Sequence, residues 1–164
     1  MQNSQIRKIA YTAILIACDI LLTRVLAINT AVMKIGLGFL AVALCSTLYG
    51  PLWGAMAAAI GDILGSVIFP TGAYYFPFTV TAALTGLIFG LFLYRKFSVK
   101  KAVIAAAVNV TAVSYIMNTA LIARLSEASY TALLATRSIQ LAVMLIIQPL
   151  VLALVLPRII RKIS

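Results

Sequence analysis

Six apolar runs separated by short polar or basic breaks constrain this chain more than anything else in it. They cover residues 9–23, 35–49, 52–69, 77–94, 102–123 and 137–156. About 20 apolar residues of helix cross the hydrocarbon core of a bilayer, where backbone polar groups must be satisfied internally. The runs are continuous rather than alternating, which argues for helices and against a barrel. The chain is 64% hydrophobic and only 10% charged, more apolar surface than a water-soluble domain of this size needs. The expectation is an all-α membrane protein of six transmembrane helices, folded as one domain over residues 1–164. Arg7-Lys8 before a short apolar run also fits a secretory signal, but the equally apolar remainder favours a first membrane span.

The net charge of +10 suggests nucleic acid only until the bases are placed. They flank the apolar runs and form no soluble basic face. With the N-terminus in the cytoplasm, Arg7, Lys8, Arg95, Lys96, Lys100, Lys101, Arg158, Arg161 and Lys162 fall inside. Arg24, Lys34, Arg124 and Arg137 fall outside. That bias obeys the positive-inside rule and puts both termini in the cytoplasm. Cys18 and Cys45 lie within apolar runs and read as small core residues. With three acidic residues and no histidine, a metal-dependent or histidine-based enzyme has little to work with.

The break after the third run carries the densest functional signal. It reads Phe69-Pro70-Thr71-Gly72-Ala73-Tyr74-Tyr75-Phe76-Pro77-Phe78-Thr79. Each proline lacks an N–H and disfavours helix at the preceding residue, so a short non-helical extracellular segment joins helices three and four. Non-helical backbone at a membrane boundary is tolerated against protein or a watery cavity. Arg24, Arg124 and Arg137 lie near the outer ends of helices, and guanidinium matches carboxylate geometry. Aromatic rings and arginines at one level predict a pocket open to the outside for a flat, anionic ligand. The competing account is an interfacial aromatic belt with snorkelling arginines.

Asp62, deep in the third run, is expensive to place in a membrane and is expected to face the bundle interior. There it pairs with an arginine, touches ligand or carries a proton. Asp19 and Arg24, five residues apart, sit on different helix faces and need partners on other helices. Polar stripes recur at helical spacing: Thr111, Ser114, Tyr115 and Asn118 on the fifth run, and Arg137, Gln140, Met144 and Gln148 on the sixth. Asn118 and Gln140 are the candidate ligand contacts, and interhelical hydrogen bonding is the alternative for the rest. Gly50/Gly54, Gly61/Gly65, Gly86/Gly90 and Ala13/Ala17 mark close helix contacts. No Gly-x-x-x-x-Gly-Lys-[Ser/Thr] loop is present, so transport by this chain draws on an ion gradient or on partner subunits.

The block Leu48-Tyr49-Gly50-Pro51-Leu52-Trp53-Gly54, followed by Gly61-Asp62-Ile63-Leu64-Gly65, resembles the turn between helices two and three of the substrate-binding S components of energy-coupling factor (ECF) transporters. The stretch from Phe69 to Thr79, continuing through Leu84-Thr85-Gly86, is similar to the folate-specific branch. The resemblance implies a multi-pass protein of the bacterial cell membrane that binds folate outside, has no cofactor and is not an enzyme. It implies docking with a membrane coupling subunit and two cytoplasmic ATPases, whose ATP-driven rearrangement tips the S component over and releases the vitamin inside. Ala13 and Ala17 match part of the family's docking surface. Substrate contacts are then expected from Arg24, Asp62, Phe69, Thr71, Gly72, Tyr74, Tyr75, Phe76, Phe78, Asn118, Arg124 and Gln140, with Arg24 and Arg124 suited to folate's carboxylates. The alternatives are an S component for pantothenate or a flavin, and an ion-coupled small-solute transporter using Asp62.

Overall fold

The computed structural model describes residues 2–29, 34–70, 74–126 and 129–163. Those residues are helical apart from short connections and one two-residue ribbon. Helix α1 (Gln2–Ile20) runs into a π-helical turn, Leu21–Val25. Strands β1 (Ile28–Asn29) and β2 (Lys34–Ile35) then pair antiparallel, Ile28 opposite Ile35. Helices α2 (Phe39–Tyr49), α3 (Pro51–Ile68) and α4 (Phe76–Leu93) follow. Helix α5 (Val99–Val108) continues through a π-helical stretch, Asn109–Met117, into α6 (Asn118–Ser126) as one rod. Helix α7 (Tyr130–Ile163) ends the chain.

The six runs thus become six helical rods. Four of these are long and apolar enough to cross a membrane: Pro51–Ile68, Phe76–Leu93, Val99–Ser126 and Tyr130–Arg161. Helix α2 is apolar but shorter. The sequence pattern reads Pro149 as an interruption of the last run, yet α7 runs through both Pro149 and Pro157; packing of the rod outweighs the lost backbone bonds. The pattern also reads Arg124 to about Thr136 as a polar connector, yet its described residues are mostly helical. It contains no glycine or proline to stop one, so polarity marked the helix ends without breaking them.

The buried apolar core gathers toward one end, with Val42 and Ala58 at its inner limit. Val42, Ala43, Ala58, Phe89, Leu93, Ala102, Ala105, Ala106, Leu152 and Leu156 form a closed cluster there. Gly50 adopts φ 98°, a conformation few side chains tolerate, and Pro51 opens α3 at the position where a missing N–H costs nothing. The α3–α4 crossing is backbone to backbone: a Cβ on Gly86 would overlap the Gly54 carbonyl, and one on Gly90 would overlap Pro51. Buried Ser46 lies 2.8 Å from the Val42 carbonyl and 2.9 Å from that of Gly86, tying α2 to α4. Gly86→Ala is therefore expected to destabilise the protein by about 2 kcal/mol through overpacking, read as a drop in thermal midpoint in detergent. An unchanged midpoint would mean the crossing is looser than this geometry.

Candidate functional site

The opposite end of the bundle holds a cavity of about 490 Å³, within the range of small-molecule sites. Its wall draws on α1, α2, α3, α4, the α5–α6 rod and α7, with Gly36 and Gly38 closing the ribbon side.

One wall is organised by Asp62. Its Oδ1 pairs with Arg24 Nη2 at 3.2 Å, and its Oδ2 accepts the Thr79 hydroxyl at 2.8 Å. Thr79 Oγ1 lies 2.7 Å from the Tyr74 hydroxyl. Because Thr79 gives its hydrogen to Asp62, Tyr74 is the donor in that contact. This chain of bonds joins the π turn after α1, mid-α3, the start of α4 and the segment before it. Local sequence makes the approach possible: a Cβ on Gly65 would press on the Arg24 guanidinium, and one on Gly61 on the Asp19 carboxylate. The Gly61/Gly65 pair thus admits the end of α1 and the π turn after it, with Asp19 and Arg24, against α3. Asp19 also lines the cavity.

The facing wall is organised by Arg137, only 4% exposed. Its Nε donates to Gln140 Oε1 (3.2 Å), Nη1 to Thr119 Oγ1 (3.1 Å) and Nη2 to the Ser114 carbonyl (3.4 Å). All three acceptors are neutral. Among the described residues no carboxylate comes within ion-pair distance of it. A buried cation held only by neutral dipoles retains a strong attraction for an anion, and Arg137 lines the cavity. The π-helical stretch lies alongside, and the cavity-lining residues Asn109, Val110, Val113, Ser114 and Asn118 all come from it or its end. Such wide turns occur often at functional sites. The side-chain oxygens of Asn109 and Asn118 are buried without hydrogen-bond partners.

Of the residues expected at a site, Arg24, Asp62, Tyr74, Tyr75, Phe78, Asn118 and Gln140 line this cavity. Phe69, Phe76 and Arg124 are exposed and lie outside its wall; Phe76, 64% exposed, points away from the bundle. Thr71 and Gly72 fall outside the described residues. Tyr75 and Phe78 meet edge to face, centroids 5.8 Å apart. The sequence reads Arg137 as an outer-end arginine and as part of a polar stripe, but does not place it among the residues expected to touch the ligand. Its position one helical turn before Gln140 was the available signal. Ala13 and Ala17 are exposed on α1.

A helical membrane bundle packed solid at one end and hollowed at the other, with aromatic and guanidinium groups in the hollow, is a membrane solute-binding protein. The sequence profile described as "ECF-type riboflavin transporter, S component" matches residues 3–163, and the chain belongs to this family of ECF-transporter S components. The folate transporter FolT of Clostridium novyi (strain NT) is 37% identical over 142 residues, covering 86% of this chain and 83% of that protein. FolT of Leuconostoc mesenteroides subsp. mesenteroides is 35% identical over 89 residues, covering 54% and 48% respectively. The crystal structure of FolT bound with folic acid superposes with a TM-score of 0.82 at 26% identity, covering 88% of each chain.

Proposed function

We propose that this chain is a folate-binding S component: it captures folate from outside the cell and delivers it inward when coupled to ATP-hydrolysing partners. The observation that carries this reading is Arg137, a buried cation facing a ligand-sized cavity with no carboxylate partner among the described residues. The family profile is named for riboflavin, but riboflavin carries no anionic group to neutralise that charge. Folate carries two carboxylates, and the relatives at 37% and 35% identity are folate transporters. In this reading the glutamate of folate approaches Arg137, with Gln140, Asn118 and the Arg24–Asp62 pair around it, and Tyr74, Tyr75 and Phe78 supply aromatic surface.

The whole chain acts as one substrate-binding domain in a bacterial cell membrane. Its six apolar runs all cross the membrane, the second as α2 together with the ribbon before it, with both termini cytoplasmic and the cavity facing outward. The packed end then carries Arg95, Lys96, Lys100, Lys101, Arg158 and Arg161, all exposed, as the positive-inside rule requires. Exposed Ala13 and Ala17 offer α1 as a face for a membrane coupling subunit, which links the chain to two cytoplasmic ATPases.

The deciding experiment is calorimetric titration of the purified chain in detergent with folic acid, against riboflavin, thiamine and pantothenate. Selective folic acid binding is expected. Tight binding of riboflavin or pantothenate instead would keep the architecture and overturn the substrate. In the same assay Arg124→Ala is expected to change the folic acid Kd by less than about threefold, because an exposed side chain outside the wall contributes little. A larger loss would extend the site beyond this cavity.

A further inference from the structure

We infer that the packed end of the bundle carries a site for an anionic phospholipid. The headgroup phosphate is held between the α4–α5 connection and the end of α7, and the acyl chains run along α5 and α7. The inference stands apart from the folate reading and concerns the end of the molecule opposite the cavity. Arg95, Lys96, Lys100, Lys101, Arg158 and Arg161 are all exposed there. Helices α5 and α7 bring them to one end, because Ala102, Ala105 and Ala106 pack with Leu152 and Leu156 in one buried cluster. The chain's three acidic side chains are Asp19, Asp62 and Glu127. The first two line the cavity, and the third follows α6, whose Leu125 also lines it. Among the described residues, no carboxylate lies within ion-pair distance of any of the six cations.

Unneutralised cations alone fit any polyanion, and two further observations narrow the partner. Arg95 takes φ 63°, a left-handed conformation in which glycine is the unstrained residue. The Lys96 N–H bonds the Tyr94 carbonyl at 2.8 Å across this turn, and the Arg95 guanidinium lies 5.3 Å from the centroid of the Tyr94 ring. Strain held in place by its surroundings points to function, and here it fixes a cation at the head of α5. Secondly, the cations stand at the ends of exposed apolar stripes. On α5, Lys100, Ile104 and Val108 follow at one-turn spacing, all exposed. On α7, Arg158, Leu154, Leu150 and Ile146 do the same. From Arg158 to Ile146 is about 18 Å along an α-helix, comparable with one leaflet of a hydrocarbon core about 30 Å thick. Both helices belong to rods long and apolar enough to cross a membrane. A phosphate diester joined to two acyl chains meets cations and stripes together. An acidic protein or free phosphate meets the cations alone. Clustered Lys and Arg beside a membrane span attract anionic headgroups in this way.

The test is native mass spectrometry of the full chain in detergent, with equimolar dioleoyl phosphatidylglycerol and dioleoyl phosphatidylcholine. The two lipids share acyl chains and differ in headgroup charge. Preferential retention of phosphatidylglycerol by about tenfold or more is expected. Lys100→Gln/Lys101→Gln/Arg158→Gln should bring the two lipids within about threefold of parity. Arg124→Gln, which removes an exposed cation at the cavity end, should leave the preference unchanged. If the triple variant fails to fold, Lys100→Gln/Lys101→Gln serves, with at least about a threefold loss of preference expected. Equal retention of both lipids by the unmutated chain overturns the proposal and leaves the patch to an acidic protein. A preference that survives the glutamine substitutions, or one that Arg124→Gln lowers as much, also overturns it. So does displacement of the bound lipid by equimolar inorganic phosphate, which would make free phosphate the ligand.

Discussion

Arg137→Met is expected to abolish tight folic acid binding while leaving the bundle folded. Removing one member of a buried, hydrogen-bonded charge pair costs a complex about 2–5 kcal/mol, so Kd should rise about thirtyfold or more. Without ligand the arithmetic differs. Arg137 meets only the neutral acceptors Thr119, Gln140 and Ser114, so the free protein bears the desolvation cost of a guanidinium with no counterion in return. Methionine removes that cost but leaves the Thr119 and Gln140 side chains to rearrange, so the thermal midpoint of ligand-free protein should change little. Arg137→Lys should not restore affinity, because a point charge cannot span the same fork of acceptors. A Kd within threefold of the unmutated protein for the methionine variant would remove Arg137 from the site.

Asp62→Ala should have the largest effect on stability. It removes one of Arg24's partners, the Asp62 carboxylate, and the acceptor for Thr79, which in turn accepts from Tyr74. Breaking a buried pair by removing one partner costs about 3–5 kcal/mol. The double variant Arg24→Leu/Asp62→Leu should cost less than the sum of Arg24→Leu and Asp62→Leu, because either single change already breaks the pair. Thermal unfolding of these three variants beside the unmutated protein reads this directly. If the double variant loses as much as the sum of the single ones, the pair does not organise the wall.

Hydropathy made the six rods legible, and local chemistry made their joints legible. Gly50-Pro51 forms the expected turn, and the aspartate in the third run does pair with an arginine from another helix. The site was less accessible, for a specific reason. Stripes such as Thr111, Ser114, Tyr115 and Asn118 assume regular α-helical winding, but residues 109–117 are π-helical. The wider turn presents Asn109, Ser114 and Asn118 to the cavity, while Thr111 and Tyr115 leave its wall. No residue type announces a π stretch; it comes from tertiary packing. Aromatic character likewise did not separate the rings facing the cavity, Tyr75 and Phe78, from Phe76, which faces outward.

The short helix α2 carries a consequence for energetics across the bilayer. Its eleven residues span about 16 Å, roughly half the hydrocarbon thickness. On the proposed topology the ribbon, Gly36, Gly38 and the hollow itself occupy the outer half of the membrane on that side of the bundle. In that arrangement a water-filled chamber carries the outside potential inward, and the voltage falls mainly across the packed septum beneath. An anion entering the chamber crosses little of that field, so capture should be nearly insensitive to membrane voltage. Release on the far side of the septum is the electrogenic step, working against about 2.3 kcal/mol per anionic charge per 100 mV.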